Sequence, residues 1–337
     1  MGRNPLYSFY NIYNFYNIYS FYKIYSFYII NHLTAMGEKS HNFWVRTATS
    51  AVYIIVMMGS IYSGRLLGSH NWGIAILTAL ALFVSVGCAF EYYRIAGCHG
   101  AHPNRPLGYF FTAVMTLGLA LAGLGKPLFG ITEDIPICTF AFGEIGTPIL
   151  FAALLVLFLA LPITLMVELW RHSEHPFGDV LHTLLPVLYC ALPLGLMPFL
   201  HNTLNILVPC IWFVWVNDAC AYMGGSLVGR HKMWPRHSPG KSWEGTAIGV
   251  VCCMVVAAIM GPMFQTAMSR VDWIILGLIC SVIGTLGDLC ESMLKRAAGV
   301  KDSGKLLPGH GGLLDRFDSL LMILPVIALY DILASLM

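Results

Sequence analysis

The chain has 337 residues, of which 57% are hydrophobic and 11% are charged, and its formal net charge is +2. Soluble domains carry about 25% charged residues, so this composition excludes a soluble globular protein. The small net charge does not point to a nucleic-acid partner, and we expect none.

The first 35 residues are set apart by a tyrosine repeat. Residues 7–28 read YSFYNIYNFYNIYSFYKIYSFY, with a tyrosine at every third position. A period of three matches neither a strand nor a helix. We interpret residues 1–35 as a low-complexity extension without function and Met36 as the natural start. An aromatic anchor that lies on the membrane surface is the alternative.

Nine apolar stretches of about 18 or more residues follow, each long enough to cross a hydrocarbon layer of roughly 30 Å as a helix. Backbone polar groups in lipid must be satisfied within their own segment. The sequence therefore predicts an all-α, polytopic helical membrane protein with about nine transmembrane helices. The predicted spans are 47–65, 72–93, 107–125, 148–168, 182–200, 203–223, 246–265, 272–290 and 318–336.

Basic residues are distributed unevenly over the loops between these spans. The even-numbered loops carry twelve, whereas the odd-numbered loops carry Arg65, Lys126 and Arg270. Cytoplasmic loops are enriched in Lys and Arg, so we expect the N-terminus and the even loops in the cytoplasm and the C-terminus outside. The expected location is the cell inner (plasma) membrane.

Two acidic residues lie at the cytoplasmic ends of early spans. Glu91 is followed by Arg94, and Glu168 is followed by Arg171. Ionisable groups at membrane depth are functional candidates by default. We interpret both as interfacial capping residues, with a functional role as the alternative.

Candidate functional residues concentrate in the C-terminal third. We therefore divide the chain into N-terminal transmembrane helices, 36–204, and a catalytic region with cytoplasmic loops, 205–337. Asp218 ends the sixth span, and a basic loop reading GRHKMWPRHSPGKSWEG follows. Within it, Lys241 and Ser242 directly precede a span, a position that suits a phosphate contact. A simple topology signal is the alternative for this loop.

Residues 287–319 contain ten of the 36 charged residues of the chain. The spacing of Asp288, Glu291 and Lys295, with Ser292, places them on one helix face. Asp315 and Asp318 are three residues apart at the start of the ninth span, after the sequence PGHGG, whose glycines suit an anion site.

Acidic side chains gathered at a membrane border repel one another unless a cation lies between them. Oxygen-only ligands suit a hard ion such as Mg²⁺, which shares substrate phosphates. The nearby basic residues would neutralise a polyphosphate; they are Lys295, Arg296, Lys301, Lys305 and Arg316. A solvated loop of paired charges is the alternative.

The stretch 292–318, SMLKRAAGVKDSGKLLPGHGGLLDRFD, resembles the signature of phosphatidate cytidylyltransferases, also called CDP-diacylglycerol synthases. The stretches NDACAYMGGSLVGRHK and SPGKSWEG are similar to the same family. The signature positions that match are Ser292, Lys295, Arg296, Lys301, Asp302, Pro308, His310, Gly311, Gly312, Asp315, Arg316 and Asp318.

This resemblance implies a helical, dimeric, Mg²⁺-dependent membrane enzyme that joins CTP to phosphatidic acid, giving CDP-diacylglycerol and pyrophosphate. It implies that Asp288, Asp315 and Asp318 hold the metal and that Lys295 belongs to the catalytic set. Asp218 is a candidate for a second cation or for the nucleotide, with a structural hydrogen bond as the alternative. The other implied substrate contacts are Lys241, Ser292, Arg296, Lys301, Asp302, His310, Gly311, Gly312 and Arg316.

Two other functions stay open at this point. The first is a CTP-dependent polyprenol or phytol kinase, which would transfer the γ-phosphate to an alcohol. The second is a cation-coupled transporter, although a transporter more often spreads its carboxylates near the middle of the membrane.

Overall fold

The computed structural model describes residues 47–122, 137–204, 206–264, 268–306 and 311–334. The tyrosine-rich extension 1–35 and His310 lie outside these ranges. The helices are α1 Thr47–Leu66, α2 His70–Cys98, α3 Arg105–Ala122, α4 Ile137–Arg171, α5 Pro176–Pro186, α6 Leu192–Leu204, α7 Leu207–Val228, α8 Trp243–Met260, α9 Arg270–Ala297 and α10 Leu314–Ala334.

Eight helices in the described residues are long and apolar enough to cross a membrane, so the prediction of a polytopic helical membrane protein is confirmed. They correspond to the first eight predicted spans. The ninth, 318–336, corresponds to α10, but its last residues lie outside the described ranges, and it stays a prediction. The eight spans are Thr47–Leu66, Trp72–Cys98, Arg105–Ala122, Pro148–Arg171, Pro176–Pro198, Leu207–Val228, Trp243–Phe264 and Arg270–Ala297.

The chain divides into two compact units, residues 1–53 and 54–337. The described part of the first unit is the beginning of α1. The second unit contains every helix from α2 to α10. The predicted functional boundary between residues 204 and 205 falls inside this unit and stays a prediction.

Helices α7, α8, α9 and α10 pack against one another in chain order, and α10 also contacts α2 and α6. Trp273 of α9 is fully buried, and its ring packs edge-on against Phe213 of α7, with centroids 6.2 Å apart. Aromatic pairs favour this geometry. The early and late helices therefore share one packed interior.

Helices α9 and α10 run antiparallel, so that the end of α9 lies beside the start of α10. At the other end of the pair, Ser269 and Asp272 form a capping box on α9, and the Tyr330 hydroxyl donates to Asp272 Oδ1 at 2.6 Å. This bond joins the beginning of α9 to the end of α10.

One short β-hairpin interrupts the helical pattern expected from the sequence. Strands β1, Lys232–Trp234, and β2, Ser238–Ser242, pair antiparallel within the predicted basic loop. Glu244 in the first turn of α8 accepts hydrogen bonds from the backbone N–H groups of Arg230 and His231, each at 3.2 Å. These bonds hold the base of the hairpin against α8.

Candidate active site

Three carboxylates converge where α9 ends and α10 begins. Asp288 and Glu291 lie on α9 and Asp318 lies on α10, and one oxygen from each lies within 4.8 Å of the others. We call these residues the acidic cluster. Glu291 is fully buried, and its Oε1 has no hydrogen-bond partner among the described residues. An oxygen-only donor set with an unpartnered buried oxygen fits a hard divalent cation.

Asp315, which was predicted with Asp288 and Asp318 as a metal ligand, is not one of the three converging carboxylates, although Lys295 connects it to Glu291. Its Oδ1 is 2.5 Å from Lys295 Nζ. Its Oδ2 accepts bonds from Gly312 N at 2.7 Å and Ser303 N at 3.0 Å, and Ser303 Oγ lies 2.9 Å away. Both oxygens are therefore occupied by protein donors, and its role as a metal ligand stays a prediction.

Lys295 joins Asp315 to the acidic cluster. Its ammonium group contacts both Asp315 Oδ1 and Glu291 Oε2, and its side chain is 11% exposed. The negative charges of the two carboxylates compensate the positive charge of the buried lysine. Removing one partner would leave a buried charge without a counter-ion. Lys295 thus serves as a counter-ion here, while the predicted phosphate contact stays a prediction.

A cavity of about 450 Å³ lies next to the acidic cluster, between α7, the hairpin, α8 and α9. Its volume is in the usual range for a small-molecule site, about 300–1,000 Å³. It is lined by Asp218, Ala221, Tyr222, Gly225, Ser226, Lys232, Ser238, Gly240, Lys241, Ser242, Thr246, Thr285 and Asp288.

Lys241 and Asp288 connect the cavity to the acidic cluster. Lys241 Nζ is 2.7 Å from Asp288 Oδ2, and both residues line the cavity. Asp288 also belongs to the cluster. A ligand in the cavity can therefore contact Lys241 and a cation held by the acidic cluster at the same time.

Sequence reasoning missed two polar residues beside the cavity. Asn217 Nδ2 donates to Thr285 Oγ1 at 3.2 Å, and the Thr285 carbonyl accepts from Lys241 Nζ at 3.3 Å. Both Asn217 and Thr285 are buried. Both are polar residues within apolar spans, and this could have marked them in the sequence. Burying a polar side chain costs free energy unless the group is hydrogen-bonded.

The structure places the other predicted residues around the segment between α9 and α10, residues 298–313, which we call the signature loop. Ser292 Oγ donates to Asp288 Oδ1 at 3.3 Å, and Arg296 Nη1 donates to the Val300 carbonyl at 3.0 Å. The side chains of Lys301, Asp302 and Arg316 are exposed and lie outside the cavity lining.

Gly311 has a φ of +82°, a conformation that favours glycine. It precedes Gly312, whose N–H donates to Asp315. The positive φ explains the glycine at position 311 as backbone geometry. The predicted contacts of Gly311 and Gly312 with substrate stay predictions.

The interpretation of Glu91 as an interfacial cap is wrong. Its carboxylate is 4% exposed and accepts bonds from Leu313 N at 3.0 Å, Leu314 N at 2.8 Å and Ser303 Oγ at 2.8 Å. It therefore reaches into the signature loop from α2. Glu168 is equally buried, at 3% exposed, and pairs with Arg171 at 2.8 Å, so its interpretation as an interfacial cap stays a prediction.

Comparison with known proteins agrees with this arrangement. A model of the cytidylyltransferase family matches residues 44–333. A phosphatidate cytidylyltransferase of Staphylococcus aureus (strain COL) is 41% identical over 160 residues, which are 46% of this chain and 60% of that protein. One of Staphylococcus haemolyticus (strain JCSC1435) is 40% identical with the same coverage.

The chain thus spans about 60% of the length of the curated relatives it matches. The family model, however, covers far more than half of the chain and includes the acidic cluster, the cavity and the signature loop. On that match, the chain belongs to the cytidylyltransferase family.

Proposed function

We propose that the chain transfers the cytidylyl group of CTP to phosphatidic acid, giving CDP-diacylglycerol and pyrophosphate. The observation that carries the proposal is the cavity whose lysine, Lys241, contacts a carboxylate of the acidic cluster. A nucleotide polyphosphate needs cationic groups and a bound divalent ion at one place. The names of the relatives support the same reaction.

In this reaction, a phosphate oxygen of the lipid attacks the α-phosphorus of CTP. The new bond joins these two atoms, and the bond between the α-phosphorus and the bridging oxygen breaks, so that pyrophosphate leaves. No protein nucleophile is required. The protein contributes positioning and charge neutralisation, which dominate phosphoryl-transfer catalysis.

Lys241 and Lys232 line the cavity and would neutralise the phosphates of CTP. Ser242 caps α8 by accepting a bond from Gly245 N at 3.2 Å, so the N-terminus of α8 also faces the cavity. Helix N-termini favour anions. Asp218 lines the cavity as well, and we retain it as a contact for the nucleotide or a second cation.

Asp288, Glu291 and Asp318 would hold Mg²⁺ next to the cavity. When bound, this ion would neutralise charge on the phosphate oxygens and on the departing pyrophosphate. Lys295 keeps the buried Glu291 and Asp315 carboxylates compensated. The protein therefore presents a cation site and a basic cavity side by side.

Membrane location is part of the same proposal. We infer from the basic loops that the active site faces the cytoplasmic side of the cell inner (plasma) membrane, where CTP is available. Phosphatidic acid would approach from the bilayer. The resemblance further implies a homodimer, which sedimentation of the detergent-solubilised protein would measure.

The test uses purified protein with phosphatidic acid, Mg²⁺ and CTP labelled at the α-phosphate. We expect labelled CDP-diacylglycerol and unlabelled pyrophosphate in equal amounts. Release of labelled CDP with an added polyprenol or phytol would identify a lipid kinase instead. Absence of both products, with cation uptake into proteoliposomes, would identify a transporter.

A further inference from the structure

We propose that Glu91 is a positioning residue of the active site, which acts from α2 by fixing the signature loop and, through it, Lys295 and the acidic cluster. This inference deepens the proposed function and rests on it. Glu91 does not line the cavity. Its effect on the reaction would therefore be transmitted through protein contacts.

The contacts of Glu91 occupy both of its carboxylate oxygens. Oε1 accepts from Leu313 N at 3.0 Å, and Oε2 accepts from Leu314 N at 2.8 Å and from Ser303 Oγ at 2.8 Å. These partners lie 212 to 223 residues later in the chain. Glu91 thus joins an early helix to the part of the chain that carries the acidic cluster.

Two of these bonds come from the beginning of α10. The first N–H groups of a helix lack intrahelical acceptors, and a negative charge there is stabilised by the helix dipole. Such a cap usually comes from a residue adjacent in sequence. Here Glu91 supplies it from another helix, so the start of α10 is fixed relative to α2.

The loop backbone closes tightly around this carboxylate. A Cβ atom on Gly304 would collide with Glu91 Oε1, and one on Gly312 would collide with Glu91 Oε2. Only glycine permits so close an approach at these two positions. Gly304 and Gly312 therefore leave the space that the Glu91 carboxylate occupies.

A chain of short contacts leads from Glu91 to the acidic cluster. Ser303 Oγ is 2.8 Å from Glu91 Oε2 and 2.9 Å from Asp315 Oδ2. Asp315 Oδ1 in turn contacts Lys295 Nζ, which contacts Glu291. A shift of the loop would therefore displace Lys295 relative to the cluster.

This arrangement separates turnover from nucleotide binding. The cavity is lined by α7, the hairpin, α8 and α9, and none of its lining residues contacts Glu91 through the hydrogen bonds described above. A misplacement of about 1 Å far from the reacting atoms can cost ~10²-fold in rate. Loss of the Glu91 bonds should therefore lower kcat and leave KM for CTP nearly unchanged.

The test compares Glu91→Gln with Glu168→Gln, a matched change of another buried glutamate that pairs with Arg171. The glutamine keeps the size of Glu91 but turns an amide N–H group toward donors. We expect kcat of Glu91→Gln to fall roughly 10- to 100-fold, with KM for CTP changed by less than about twofold. Glu168→Gln should retain kcat.

A second readout needs neither substrate nor metal. Amide hydrogen exchange at Leu313 and Leu314, measured in EDTA, should be faster in Glu91→Gln than in the wild type and in Glu168→Gln. If Glu91→Gln does not fold, Ser303→Ala replaces it, because it cuts the chain of contacts but keeps both backbone bonds to α10. It should also lower kcat without raising KM.

Unchanged kcat in a folded Glu91→Gln or Ser303→Ala protein would overturn the inference, and so would a parallel rise in KM. The failure of the proposed function has a different signature. In that case the wild type itself would form no CDP-diacylglycerol. Amide hydrogen exchange at Leu313 and Leu314 that is slow in the wild type and faster in Glu91→Gln would still support the positioning contact.

Discussion

The acidic residues at the junction of α9 and α10 fall into two groups according to what their oxygens contact. Glu91 and Asp315 are bound by N–H and hydroxyl donors of the signature loop. Asp288, Glu291 and Asp318 instead converge on one another. The first group organises the backbone, and the second group has the donor chemistry of a cation site.

Removing one charge from the acidic cluster should remove most of the activity. We expect Asp288→Asn, Glu291→Gln and Asp318→Asn each to lower turnover by ~10²–10³-fold, the usual cost of losing one electrostatic element of an active site. The losses should not add in double variants, because the ligands act as a unit. The measurement is CDP-diacylglycerol formation across a magnesium titration.

Asp315→Asn provides the contrast for this prediction. If Asp315 is a metal ligand, as the motif implies, excess magnesium should restore part of its activity. If it only organises the loop, magnesium should have no effect. Near-normal rates in all three cluster variants would contradict the assignment of the metal to the cluster.

Lys241 should control nucleotide affinity. Lys241→Gln removes a charge that lines the cavity, and hydrogen bonds to charged groups are worth about 1.5–3 kcal/mol. We expect KM for CTP to rise by at least about tenfold, measured by steady-state kinetics. Arg270→Gln is the control, because Arg270 begins α9 at the end opposite to the acidic cluster. Equal KM values for the two variants would exclude this role.

At the residue scale, helical spacing was sufficient to predict that Asp288 and Glu291 share a face. It did not predict that Asp315 and Asp318 would contact different groups. Both residues lie on α10, but Asp315 is in the first turn and accepts from the N–H of Gly312, whereas Asp318 lies about one turn later and reaches Asp288 and Glu291 on α9. Spacing predicts which residues share a helix face, and it does not predict which groups of the neighbouring loop and helix they contact.

Among the elements, the α9–α10 pair carries the acidic cluster at one end and a tyrosine–aspartate bond at the other. Tyr330→Phe should destabilise the protein by about 1 kcal/mol, the typical contribution of one hydrogen bond. Because the bond lies at the end opposite to the cluster, turnover should stay near the wild-type rate. Thermal unfolding in detergent measures the loss.

Tyr62→Phe, a change on the half-exposed surface of α1, should leave the unfolding temperature unchanged. A loss of turnover in Tyr330→Phe would instead mean that the register of α9 and α10 depends on this bond.

The hairpin illustrates what sequence patterns could not provide at this scale. The basic loop was recognised as a candidate phosphate contact, but its two prolines and short length gave no strand signal. Its shape depends on Glu244, which binds the backbone of Arg230 and His231 from the next helix. Tertiary hydrogen bonds of this kind leave no periodic pattern.

For the whole molecule, hydropathy was sufficient for eight spans, because each apolar stretch must satisfy its backbone internally. It could not predict that α2 supplies a carboxylate to the signature loop, because that contact depends on how helices distant in sequence pack. The charge on Glu91 was visible, whereas its partners were not.

Orientation is testable at this scale. Single cysteines near Lys241 and Lys305, in a background without other cysteines, should be labelled from the cytoplasmic side, since the even loops hold most of the basic residues. A C-terminal tag should be accessible from the opposite side. A cytoplasmic tag would mean that α10 does not cross the membrane as the ninth span.

The bond between Glu91 and Ser303 also has a consequence for biogenesis. Ser303 follows Glu91 by 212 residues, so at a synthesis rate of about 5–20 residues per second it emerges from the ribosome roughly 10–40 s later. During that interval α2 has been synthesised, but the Glu91 carboxylate lacks its hydrogen-bond donors from Ser303, Leu313 and Leu314. A chain that ends before Ser303 would keep the Glu91 carboxylate in an apolar helix without these partners, which is costly for an ionisable group at membrane depth.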